Sequence, residues 1–237
     1  MEITPTTVAG ALLARALIND LVRPSTKVLG RRLAQRVRAL VDDAAPSVAS
    51  AERMLSDANL QPRPVEPRRL IPLLEGASLE SDEGLQERWA ALLANALSGD
   101  RGAPVLPSFS FFLQQLSSLD VLVLSSLHKL GAVAPEGGVS RTILRPESSG
   151  ATKTSEWGVS RDAIQAELEV SPEEALGVSL DTLVGLGLVE PEPRVREDLT
   201  VSDGQGVRLT RLGWRFIAAC NPPSRERSDA GDLTSGL

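Results

Sequence analysis

The chain has 237 residues, 42% of them apolar and 24% charged, enough to bury one or two cores and inconsistent with a disordered polymer. A single cysteine, Cys220, and a single histidine, His128, exclude an internal disulfide and Cys- or His-rich zinc sites, and leave little basis for a His-dependent triad. The net charge of −6 is uneven: residues 1–45 hold seven Lys/Arg against four Asp/Glu, whereas residues 132–237 hold eleven against seventeen. An anionic partner would therefore meet the amino-terminal segment first. Aromatic residues make up only 3%, too few for a platform that stacks single-stranded nucleic acid.

From Ala11 to Ala45 apolar residues recur at helical spacing (Leu13, Leu17, Leu21, then Leu29, Leu33, Val37, Leu40 and Val41) on either side of Pro24, which predicts two helices broken near that proline. Arg31, Arg32, Arg36 and Arg38 flank the second helix. They read first as a solvated face and second as a basic amphipathic surface for an anion or a membrane. No run of about 18 uncharged apolar residues exists, so a spanning helix is not expected. Thr7 to Ile18 lacks the basic start of a signal peptide, which points to the cytoplasm. A further helix is predicted from Ser47 to Asn59, ended by Gln61-Pro62-Arg63-Pro64.

Between Pro67 and Ser98 the pattern is a helical hairpin. Leu70, Ile71, Leu73 and Leu74 predict a short apolar helix, and Ser81-Asp82-Glu83 opens a second with acids at its positive end. In that second helix Leu85, Trp89, Leu92, Leu93 and Ala96 form one buried stripe. Gly99 to Gly102 ends it. Ser108 to Leu116 is a short helix with three phenylalanines, and Ser117 to Asp120 is a capping pattern opening a helix to about Leu130.

Gly131 to Gly158 has no sustained period and predicts a long loop, with at most one strand at Val139 to Leu144. Ser160 can cap a helix to Leu168. Ser171-Pro172-Glu173-Glu174 starts another, burying Leu176, Leu180, Leu183 and Val184 and stopping at Gly185 or Gly187. A strand begins at Leu188. Leu199 to Ser202 and Val207 to Leu209 flank Asp203-Gly204-Gln205-Gly206, a hairpin turn. Thr210 caps a last helix to Cys220, and Asn221 to Leu237 reads as a disordered tail. The fold class expected is mainly α: amino-terminal helices over 1–66, the hairpin and its connector over 67–116, and an α+β module over 117–220 laid out like a winged helix-turn-helix.

That layout does not by itself imply DNA binding. The helix from Pro172 to Gly187, which would enter the major groove, carries Glu173, Glu174 and Asp181 and no Lys or Arg, a face that repels phosphate. Arg208, Arg211 and Arg215 form the only basic patch in this half. The carboxylates Glu75, Glu80, Asp82, Glu83 and Glu87 could suggest acid/base or metal chemistry, yet they cluster where one helix ends and the next begins, and caps and dipole partners explain most of them. Asn95 could bond across the hairpin or reach a partner. No phosphate-loop or dinucleotide pattern is present, and no cofactor, metal or catalytic residue is expected.

The run from Leu70 to Ala96, followed by Pro107-Ser108-Phe109 and Gln115 to Asp120, resembles the signature of the abortive infection alpha (Abi-alpha) family. Asp20 to Pro24, Leu29-Gly30 and Asn59 to Val65 fit as well, so the resemblance covers about Ile18 to Ser125 well and the remainder loosely. It implies a bacterial phage-defence protein, supplying neither a catalytic residue nor a target. Glu75, Ser78, Glu80, Asp82, Glu83 and Asn95 stand at signature positions as candidate interaction residues, with Arg31, Arg32, Arg36, Arg208, Arg211 and Arg215 as candidate anion contacts. The expected mode is non-enzymatic contact with a host or phage protein. The alternatives are a winged-helix regulator on DNA and an effector at the membrane surface using the helix at 28–41.

Overall fold

The computed structural model describes residues 27–131, 158–159, 161–168, 173–191 and 206–224. Along them run α1 (Lys27–Asp43), α2 (Ala45–Asp57), α3 (Pro67–Leu79), α4 (Glu83–Ser98), a 3-10 turn at Gly99–Arg101, α5 (Ser108–Gln115), α6 (Ser118–Gly131), α7 (Arg161–Leu168), α8 (Glu173–Gly185), β1 (Val189–Pro191), β2 (Val207–Leu209) and α9 (Arg211–Ala219). The protein is mainly helical with a small antiparallel sheet. The predicted helix before Pro24, the body of the 131–158 loop with its strand at 139–144, and the 199–202 strand lie outside the described residues.

The chain divides into two compact units, Met1–Ser118 with Arg215–Leu237, and Leu119–Trp214. The expected boundary at residue 66 does not separate units, because α2 packs along α4 and α1 packs against α3. The last helix also ends in the first unit, where Phe216 meets Phe109 edge-on at 5.3 Å and Phe112 at 5.9 Å. Nor does the ordered chain stop at Cys220: Asn221 is bonded to α4 and Pro223 is buried.

α4 is the centre of the first unit, with α2, α3 and α5 all packed on it. One buried stripe was expected, but Ala90, Ala91, Ala94 and Leu97 are buried too, while Ala96 is only half-buried. Small alanines let neighbouring helices approach from several sides, and a helix enclosed in this way is apolar nearly all round. α3 is longer than its apolar run suggested. Pro72 lies inside it without ending it, and Gly76 is retained because a Cβ there would stand 2.2 Å from the Trp89 ring. That indole is 1% exposed and fills the seam between α3 and α4.

In the second unit α8 turns Leu176, Leu180 and Leu183 inward, whereas Val184, expected to be buried, is exposed. β1 and β2 pair antiparallel with Val189 opposite Leu209, so the described partner of 207–209 is 189–191. Val159 also bridges Val207. Thr210 caps α9 as the sequence indicated, its Oγ1 accepting from the Gly213 amide at 3.0 Å. Gly213 is required there, since a Cβ would lie 2.0 Å from the Leu188 carbonyl oxygen.

Candidate functional site

The turn between α3 and α4 gathers most of the conspicuous polar residues, and nearly all of them are engaged within the chain. Asp82 is the N-cap of α4: one carboxylate oxygen accepts from the Leu85 amide at 2.9 Å and the other from the Ser118 hydroxyl at 2.8 Å. These bonds, the Leu85 amide first, hold its carboxyl below the usual range. Glu80 closes the turn, accepting from the Ser81 and Asp82 amides at 2.9 Å each, while its carbonyl receives the Gln86 side-chain amide at 2.9 Å. Ser78 donates back to the Glu75 carbonyl at 2.8 Å. Glu75 pairs with Arg36 of α1, which joins a candidate interaction residue to a candidate anion contact.

Leu79 and Glu83 differ from these. Leu79, the last residue of α3, is 84% exposed although it is large and apolar. The reason is geometric: at about 100° per residue, nine residues from buried Leu70 bring it to the opposite side of the helix. Ser81, Glu83 and Glu87 are exposed as well, and neither glutamate has a partner among the described residues. The turn and the first turns of α4 thus leave one large apolar side chain and two carboxylates exposed. The sequence pattern drew attention to the run Leu70 to Leu74 and not to Leu79; counting its angle from Leu70 would have revealed it.

Asn95 lies far from this turn along α4 and is 2% exposed. Its side-chain amide donates to the carbonyls of Ala219 at 2.9 Å, Asn221 at 2.8 Å and Ala91 at 3.0 Å, and its oxygen accepts from the Ala103 amide at 2.8 Å. Seven residues earlier on the same face, Arg88 donates to the Cys220 carbonyl at 3.2 Å and the Asn221 side-chain oxygen at 2.8 Å. Together they satisfy carbonyls that the end of α9 leaves without helical donors, the cation lying where the helix dipole is negative. Burial pushes the Cys220 thiol up, away from the thiolate that a reactive cysteine needs.

Of the basic candidates, Arg208 pairs with Glu190 across the two strands at 2.6 Å. Arg32, Arg211 and Arg215 are exposed, whereas the side chain of Arg31 lies outside the described residues. The exposed face of α8 presents Glu174, Val178, Asp181 and Val184. Among the described residues no three His, Cys, Asp or Glu side chains come together in a way that could hold a metal ion. No single described helix is long and apolar enough to cross a membrane.

The family model described as abortive infection alpha matches residues 35–220, running well past Ser125 and into the second unit. No curated protein and no solved structure matches the chain.

Proposed function

This chain belongs to the abortive infection alpha family, matched over residues 35–220, and from that membership we propose that it is a bacterial phage-defence protein that acts without catalysis, by docking a protein partner on the α3–α4 turn. The observation that carries this reading is Leu79, 84% exposed at the end of α3, with Glu83 exposed at the start of α4, while Asp82, Glu80 and Glu75 serve the fold. A partner with an apolar socket and a Lys or Arg fits such a surface, because an exposed apolar anchor on an acidic turn has the make-up of a small interface hot spot.

The second unit has the element order of a winged helix, and protein contact suits it better than DNA. The α8 face is acidic and apolar, and Arg208, the cation on β2, is paired with Glu190. Pairing of Arg36 with Glu75 likewise reduces the charge α1 can offer to a lipid surface. A cytoplasmic location is part of the proposal.

The test is phage plating and culture survival in a bacterial host. Protection at a low phage-to-cell ratio with culture collapse at a high ratio is the result expected of abortive infection. Leu79→Ser should raise plaque counts while leaving the melting temperature unchanged, and Glu83→Lys should raise them with no more than the small loss of stability that a cation in the first turn of α4 brings. Full protection by both variants would remove the turn from the mechanism. A gel shift at low salt would instead bring DNA forward, and flotation with anionic vesicles would bring the membrane forward.

A further inference from the structure

A groove of about 440 Å³ lies at the other end of the hairpin, between the start of α3, the end of α4 and the connector leading into α5. That volume lies within the range of ordinary ligand sites. Its walls include Pro72, Leu73, Val105 and Leu106, and among the described residues its only charged lining residues are Arg68 and Arg69. Both arginines are exposed and neither has a partner among the described residues. Stability does not account for them, since cations in the first turn of a helix oppose its dipole. Two cations without a partner, and no lining carboxylate among the described residues, make the groove complementary to an anion.

The backbone around the groove narrows the class of ligand. The connector from Ala103 to Leu106 belongs to no helix or strand, and the amides of Val105 and Leu106 donate to no group among the described residues. Pro72 lacks the amide that would have bonded the Arg68 carbonyl four residues earlier. Donors and an acceptor on the main chain, lined up with the apolar residues Pro72, Leu73, Val105 and Leu106, suit an extended peptide that bonds through its own backbone. No aromatic ring lines the groove, so a nucleobase would find nothing to stack on.

We propose that this groove binds a short, extended peptide segment of a partner protein, with an Asp or Glu side chain held by Arg68 and Arg69 and apolar neighbours against Val105 and Leu106. The surface is separate from the α3–α4 turn and does not depend on it.

The experiment is to pan a surface-displayed library of random octapeptides on the full-length protein. Selected peptides should be enriched in Asp or Glu flanked by apolar residues, and their binding should weaken with salt. The double variant Arg68→Glu/Arg69→Glu should bind the same peptides about tenfold or more weakly, the loss of at least one charge-assisted hydrogen bond. Repeating the selection on that variant should shift the preference to Lys and Arg. A second variant, Val105→Trp, fills the groove without changing charge and should also lose binding. Absence of acidic enrichment, or acidic peptides that bind the folded charge-reversed variant equally well, would overturn the proposal.

Discussion

The two ends of the α3–α4 hairpin use polar residues in opposite ways. At the turn, the carboxylates of Asp82 and Glu80 hold the backbone in place, and what is left outward is Leu79 with Glu83. At the far end, Asn95 is consumed by four backbone groups, and what is left outward is the Arg68 and Arg69 pair. In both places the residue most conspicuous in the sequence supports the fold, and the surface is made by neighbours that look ordinary. Polar density therefore locates helix ends in this protein, and the residues left over after the internal bonds are assigned locate its surfaces.

The sharpest way to break this contrast is at Asn95. Asn95→Ala leaves the Ala103 amide and the α9 carbonyls without their partner in a buried place, and should cost about 3 kcal/mol. Urea unfolding should show a lower midpoint at unchanged slope; an unchanged midpoint would mean that Asn95 does not hold the last helix. Gly76→Ala comes next. Alanine normally strengthens a helix, but here its Cβ meets the Trp89 ring, so a loss of about 1 to 3 kcal/mol is expected. Stabilisation by the same change would show that the α3–α4 seam is looser than described.

A smaller effect is expected at Asp82. Its carboxyl is held below the usual value in the folded chain, so it adds stability above the unfolded value of about 3.9, and this is lost as pH falls through the folded one. Asp82→Asn keeps a capping side chain and removes the charge. Its melting temperature should lie below that of the parent at neutral pH and converge with it in strong acid, and parallel curves down to acid would refute the assignment. Least of all should Leu79→Ser matter to the fold: within about 0.5 kcal/mol of the parent, as for other exposed positions. A larger loss by calorimetry would mean that Leu79 packs against something.

Local features were well marked in the sequence. The Asp82 and Thr210 caps, the glycine stop at Gly99 and the rhythm of α4 each depend on neighbours a few residues away, where spacing carries the information. Long-range bonds were not marked. Asn95 binds carbonyls 124 and 126 residues further on, and no local pattern could tell that outcome from a bond across the hairpin or to a partner. α3 ran through Pro72 and Gly76 because tertiary packing outweighs weak propensity, and the Trp89 ring needs the space that glycine leaves. Val184 shows a related difficulty, since an apolar residue one step off the buried stripe looks like core until its angle on the helix is worked out.

The most direct test of the central claim compares Leu79→Ser with Asp82→Asn in the phage-protection assay, at a temperature where circular dichroism shows both variants folded. The account predicts that Leu79→Ser loses protection and Asp82→Asn keeps it. Protection lost by folded Asp82→Asn and kept by Leu79→Ser would contradict it, and would place the function on the carboxylates that here close the turn.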